Sequence, residues 1–240
     1  MLNHLLAAYL LIIFPAWNIW RSKRPASDKP PRSLMRRYWT MSCHSLVLLG
    51  VLWAGASQAG YTSAQLGFDM PLSSAGAWGL GCAVLLLAGL WAIGSVIERR
   101  KTPQARAEDE RKMLASSSIW PRNPAEAFAF AVSMLIVTGG WEVLYRGFLL
   151  LVLTPVIGLP LAIAASALAY GIGHGYTNPK QLAGSIVSAF LFTIAFAWTQ
   201  SLWWLILLHV FIPLSTIPAV MRAQHRQPAP QPAITSVIGS

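Results

Sequence analysis

The chain has 240 residues, of which 55% are hydrophobic and only 11% are charged, with a net charge of +10. Soluble domains carry roughly 25% charged residues, and a mean hydropathy of +0.52 is high for a protein of this length. A compact soluble protein could not bury so much apolar surface, whereas a bilayer is itself an apolar solvent. The composition therefore excludes a soluble domain and predicts a membrane protein.

Seven apolar segments approach or reach the roughly 17–25 residues that cross a bilayer as a helix. In chain order they are Leu5–Trp20, Tyr38–Ala56, Ala77–Ile97, Ala125–Gly139, Leu159–Gly173, Leu182–Trp198 and Leu202–Val220. A further stretch, Trp141–Leu153, either continues the fourth segment or forms a separate helix. The sequence thus predicts an all-α, polytopic bundle of seven transmembrane helices, or eight if that stretch is separate.

The basic residues predict the orientation and exclude a nucleic-acid partner. Of the 18 Lys and Arg residues, seven lie in Arg21–Arg37, seven in Arg99–Arg122, and Lys180, Arg222 and Arg226 lie near other segment ends. With the N-terminus outside, all seventeen of these residues fall on the cytoplasmic side, as the positive-inside rule requires. Seven spans then place the C-terminus in the cytoplasm, and the basic loops anchor the chain in the bilayer without forming a nucleic-acid surface.

The remaining basic residue, Arg146, lies inside an apolar stretch together with the acid Glu142. Charges inside a membrane are costly and usually functional. Four residues apart on a helix, the two side chains share a face and can pair. The alternative to a functional site is a structural ion pair, although buried pairs are at best weakly stabilising.

Two histidines, His174 and His209, also lie in or beside apolar segments. Two imidazoles and one carboxylate form the ligand set of many catalytic zinc sites, and metal-bound water ionises near neutral pH. The sequence therefore predicts a divalent metal, zinc, held by Glu142, His174 and His209. The same residues could instead form a metal-free acid–base group or a proton relay in a transporter. His44 could join them, but a packed core histidine is the preferred interpretation.

Three motifs in order resemble a known family. The run Trp141–Gly147 is similar to the E-E-x-x-x-R-G signature of the CAAX-processing and bacteriocin-processing endoproteases, the CPBP or Abi family of intramembrane metalloproteases. Tyr170–His174 resembles the second motif, F-x-x-x-H, and His209 stands where the third motif, H-x-x-x-N/D, begins. The resemblance extends from Pro121 to about Pro218.

The resemblance implies a function and a division of the chain. A glutamate of the first motif would activate water, the two histidines would orient the water or bind a metal, and the second glutamate and the arginine would hold each other in place. The substrate would be a peptide bond of a membrane-associated peptide or protein, in a bacterial cytoplasmic membrane. Residues 121–222 would form the catalytic core, after N-terminal helices and basic loops in 1–120 and before a mobile tail, 223–240.

Two positions depart from the family pattern. Trp141 replaces the first glutamate, and Pro213 replaces the Asn or Asp of the third motif. Trp cannot accept a proton or bind a metal, and the loss of a general base costs roughly 10²–10⁴ in rate. Three interpretations stay open. The first is a working or weakened protease, with Glu142, Arg146, His174 and His209 as its catalytic residues. The second is a catalytically silent relative that acts as an interaction protein, and the third is an unrelated transporter.

Overall fold

The computed structural model describes residues 1–24, 33–175 and 178–226, and these residues form eight helices. In chain order the helices are α1 (Leu2–Ser22), α2 (Leu34–Ala59), α3 (Ser74–Arg100), α4 (Pro103–Ser116), α5 (Pro124–Ile157), α6 (Leu159–Gly173), α7 (Pro179–Thr199) and α8 (Trp203–Arg226). No strand occurs in the described ranges. This confirms the predicted all-α, multi-pass membrane bundle.

Six of these helices are long and apolar enough to cross a bilayer, and α6 is a shorter apolar helix of 15 residues. At about 1.5 Å per residue, α6 is near 22 Å long, which is less than the roughly 30 Å of a hydrocarbon core. The seven predicted segments therefore correspond to six full spans and one short helix packed beside them. The fourth segment is longer than expected, because Trp141–Leu153 continues it within the 34 residues of α5.

Polar residues at the helix starts explain where the helices begin. The side chains of Ser73, Asn123 and Asn178 accept hydrogen bonds from backbone N–H groups three residues later. Proline follows Asn123 and Asn178 at the first helical position, where its missing N–H costs nothing. Gly158, with a positive φ of 77°, separates α5 from α6. Local sequence thus sets most boundaries, and apolar packing sets the bundle.

Two π-helical turns interrupt the α-helical hydrogen bonding, at Tyr9–Ile13 in α1 and Val143–Leu149 in α5. Such turns occur frequently at functional sites. The two turns contact each other, since the buried hydroxyl of Tyr145 donates to the Leu10 carbonyl at 2.9 Å. The π-turn of α5 contains Arg146, so α1 packs directly against the segment that carries the ion pair.

Contacts between distant segments define the two ends of the bundle. At one end, Arg37 Nη1 donates to Ser118 Oγ at 3.1 Å, and Arg226 pairs with Glu110 at 2.8 Å. At the other end, the Leu202 N–H donates to the Gly67 carbonyl at 2.8 Å. The segments rich in basic residues therefore meet at one end, and the loop with few charges lies at the other.

Two sequence predictions about organisation stay predictions. The division into 1–120, 121–222 and 223–240 is not tested by the fold, although α5 to α8 lie within the predicted core and residues 223–226 belong to α8. The rest of the predicted mobile tail, from residue 227 onward, falls outside the described residues.

Candidate functional site

A buried ion pair lies at the centre of the bundle. Glu142 and Arg146 are both 0% exposed, and Arg146 Nη1 lies 2.9 Å from Glu142 Oε1. Glu142 is the last α-helical residue before the π-turn of α5, and Arg146 is inside that turn. The predicted pairing across four residues is therefore present in the structure, in a setting without exposure to bulk solvent.

Tyr170 of α6 joins this pair to the second motif. Its hydroxyl donates to Glu142 Oε1 at 3.2 Å, and the Arg146 guanidinium carbon lies 3.7 Å from the centre of its ring. The backbone carbonyl of the same residue lies 3.0 Å from His174 Nδ1. Tyr170 thus contacts three of the predicted site residues, and a cationic guanidinium over an aromatic face is a favourable arrangement.

His209 of α8 also contacts Glu142. Its Nδ1 lies 3.3 Å from Glu142 Oε1 and 3.3 Å from the Leu205 carbonyl. Both partners are hydrogen-bond acceptors, so the arrangement favours the tautomer that carries the proton on Nδ1. The same reasoning applies to His174, whose Nδ1 faces only a carbonyl. Each imidazole then keeps Nε2 as an acceptor nitrogen.

A cavity of about 280 Å³ lies beside the two imidazoles. Its walls come from the end of α6, from α7 and from α8, and the lining residues are Tyr170, His174, Gly184, Ser185, Ser188, Ala189, Phe192 and His209. His174 and His209, which are 35 positions apart in sequence, therefore border one space. Glu142 and Arg146 do not line the cavity. They contact residues that do, since Glu142 contacts Tyr170 and His209 and Arg146 lies over the Tyr170 ring.

The first helix holds the second motif in place. Asn18 Nδ2 donates to the Gly173 carbonyl at 3.0 Å, next to His174. A Cβ on Gly171 would lie 2.8 Å from Ile186 Cα, so a larger residue there would push α7 away from α6. The closest approach of these two helices depends on that glycine, as is common where membrane helices cross.

The structure does not arrange the predicted zinc ligands around a common point. Within the described ranges, no three His, Cys, Asp or Glu side chains form a group that could hold a metal ion. Glu142 Oε1 is used by Arg146, Tyr170 and His209, and Nδ1 of each imidazole is held by a backbone carbonyl. A carbonyl on Nδ1 leaves Nε2 of each ring as a ligand atom, the usual arrangement of metal-binding histidines, and Glu142 Oε2 has no hydrogen-bond partner among the described residues, so these contacts do not exclude zinc. Zinc dependence stays a prediction that metal analysis of the purified protein can test.

Trp141 and His44 lie outside the cavity, in an aromatic cluster that reaches Tyr170 through Tyr145. The Trp141 ring is 4.5 Å from that of Phe14 and 6.1 Å from that of His44. His44 Nε2 is 2.9 Å from the Tyr9 hydroxyl, and neither Trp141 nor His44 is in the cavity lining. His44 therefore occupies a packed position, in agreement with the preferred interpretation of the sequence. Pro213, in the third motif, lies inside α8.

Sequence reasoning gave no role to Tyr170 or to α7. Tyr170 stands at the aromatic position of the second motif, four residues before His174, and that spacing is a signal that it shares a helix face with the histidine. The α7 residues Gly184, Ser185 and Ser188 carry no such signal, because small residues are common in membrane helices.

Residues 123–214 match the model of a protein family described as type II CAAX prenyl endopeptidase, Rce1-like. The matched segment begins at the residue that caps α5 and ends in α8, five residues after His209. It includes all four predicted site residues: Glu142, Arg146, His174 and His209. No curated protein and no solved structure gives a significant match to this chain.

Proposed function

We propose that the protein is an intramembrane endopeptidase that hydrolyses peptide bonds in the cavity between α6, α7 and α8, because residues 123–214 match the model of the type II CAAX prenyl endopeptidase family. The observation that carries the proposal is the contact of His209 with Glu142 at 3.3 Å, with His174 lining the same cavity. The family is one of proteases. In this contact His209 is the base, and the cavity beside it provides the space for a substrate.

The two imidazoles provide acceptor nitrogens for the water that attacks the peptide bond. With Nδ1 of each ring held by a carbonyl, His174 Nε2 and His209 Nε2 can each accept one O–H of a water in the cavity. His209 takes the proton as the water oxygen attacks the carbonyl carbon. It then returns the proton to the leaving amine, as a general base that becomes a general acid.

Glu142 stabilises the imidazolium that forms on His209. Its carboxylate lies 3.3 Å from His209 Nδ1, and its own charge is balanced by Arg146 at 2.9 Å. A buried carboxylate that orients an imidazole and stabilises its protonated form is the logic of the serine protease triad, here with water in place of the serine. In this assignment His209, and not Glu142, is the base. The replacement of the first-motif glutamate by Trp141 therefore leaves the base in place.

The proposal also includes a location and an orientation, in a bacterial cytoplasmic membrane with the N-terminus outside. The end of the bundle where Arg37 meets Ser118 and Arg226 meets Glu110 carries the basic segments. Positive charge is retained on the cytoplasmic side. The substrate is a membrane-associated peptide or protein, and nothing in the cavity lining selects a prenylated one.

A catalytically silent relative that binds other membrane proteins is the second candidate. The observation that favours it is Trp141, whose ring packs against Phe14 and Tyr145 at the position of the family's water-activating glutamate. In this candidate the cavity binds a peptide segment without cutting it.

Comparison of new protein termini in membranes separates the two candidates. We expect cells with the wild-type protein to show cleavage products, found by mass spectrometry of protein N-termini, that are absent with Glu142→Ala and with His174→Ala. His225→Gln, which changes an exposed imidazole in the last turn of α8, is the control and should keep every product. Identical products in all four membranes would remove the site from any proteolytic role and leave the silent relative.

A further inference from the structure

One wall of the cavity comes from α7, which carries none of the family motifs. Gly184, Ser185 and Ser188 lie within about one turn of each other on this helix, and all three line the cavity that His174 and His209 border. The polar groups of α7 therefore face the imidazoles across the space in which the substrate would lie.

The α7 wall is open on one side. Gly184 and Ser188 are exposed, and a Cβ placed on Gly184 would meet no atom within 4 Å. At Gly171, by contrast, α6 and α7 are so close that a Cβ would lie 2.8 Å from Ile186 Cα. The cavity is thus open to the outer surface of the bundle past Gly184 and Ser188.

The serine hydroxyls of the α7 wall can form hydrogen bonds with the backbone of a bound peptide. Ser185 Oγ accepts a hydrogen bond from Gln181 Nε2 at 3.1 Å, and Ser188 has no hydrogen-bond partner in the part of the chain that the structure describes. Ala189 and Phe192 continue the wall with apolar surface. A polypeptide in a membrane must satisfy its N–H and C=O groups, so a segment that leaves its helix to be cut needs such partners.

We infer that α7 is the substrate-recognition surface of the proposed protease: Gly184, Ser185 and Ser188 receive an extended apolar peptide from the side of the bundle, with a small substrate side chain against Gly184. This inference rests on the proposed function for its chemistry, and it adds the substrate class and the residues that select it. Ser188 pairs with substrate backbone, and the missing side chain of Gly184 provides the room.

The test uses a defined probe with the full-length protein in lipid vesicles. The probe is a biotinylated peptide amide of alternating Ala and Val residues with one photoreactive leucine, and the readout is saturable labelling mapped by mass spectrometry. We expect labelling of α7 and of α8 near His209. With Gly184→Leu, labelling should fall about tenfold or more, as expected when added bulk overfills a binding surface. Ser188→Ala should label more weakly than wild type.

Gly94→Leu is the matched control, because Gly94 is also an exposed helical glycine and a Cβ added there would likewise meet no atom within 4 Å. It should label like wild type, and both leucine variants should unfold at the wild-type temperature. Equal labelling of Gly184→Leu and wild type, labelling elsewhere, or no saturable labelling would overturn the inference. If labelling is as expected but no cleavage product depends on the site residues, the proposed protease activity is ruled out and the peptide-binding surface on α7 is retained.

Discussion

Arg146→Met is expected to destabilise the protein by about 3–5 kcal/mol, because it leaves the Glu142 charge buried and unpaired. Both side chains are 0% exposed, and Arg146 provides the nearest positive charge to Glu142 at 2.9 Å. It also contributes the cation over the Tyr170 ring. Methionine keeps much of the side-chain volume, so lost packing adds little. Denaturant unfolding of the purified protein in detergent micelles measures the effect.

Two further variants separate the charge effect from any other. Arg226→Met removes one partner of the exposed pair with Glu110, and surface pairs are worth about 0–1 kcal/mol. The double variant Glu142→Gln/Arg146→Met removes both buried charges and should recover a large part of the lost stability, since an unpaired charge is the main cost. A double variant less stable than Arg146→Met would show that burial of an unpaired charge is not the cause.

His209→Gln is expected to lower kcat by roughly 10²–10⁴, the contribution typical of a general base. Glutamine retains polar atoms and a similar size in α8, but its amide cannot take a proton from water at neutral pH. Because the proposed base acts in the chemical step, KM should change little. The measurement is cleavage of a substrate identified from the membranes, by the protein reconstituted in vesicles.

His44→Gln is the control for this loss. His44 is also a partly buried imidazole in a membrane helix, bonded to the Tyr9 hydroxyl at 2.9 Å, but it does not line the cavity. Its kcat should match wild type. A drop of the same size in both variants would point to a general disturbance of the bundle, and an unchanged kcat in His209→Gln would remove this residue from the chemistry.

The seven apolar helices could be predicted because each of them crosses or nearly crosses an apolar solvent and must therefore be apolar over most of its length. The exception is informative: the predicted fourth segment ends at Gly139, whereas α5 continues to Ile157. Hydropathy fails at this point because Glu142 and Arg146 interrupt the apolar run, although each neutralises the other within the helix. The two π-turns could not be predicted, because hydropathy does not distinguish them from α-helix; in the structure the hydroxyl of Tyr145 in one donates to the Leu10 carbonyl in the other.

The candidate site could be predicted only in part. The spacing of Glu142 and Arg146 on one helix is enough to predict their contact. The rarity of imidazoles in apolar segments is enough to select His174 and His209, although in the structure His174 is exposed and His209 is only partly buried. The zinc ligand set stays a prediction, because a set of ligand types does not say how closely helix packing brings the ligand atoms together, and in the described residues no three of them gather around one point. The contacts of Tyr170 and the α7 wall depend on how three helices pack, which no local pattern encodes.

The most direct test of the account is cleavage in ¹⁸O-labelled water by the reconstituted wild-type protein, with a metal chelator present. If water held by His174 and His209 attacks the peptide bond, the new C-terminal carboxylate carries a single ¹⁸O atom, and the chelator leaves the yield unchanged. A yield abolished by the chelator would contradict the metal-free assignment of His209 as the base, and a product without the label would contradict attack by water on the peptide bond.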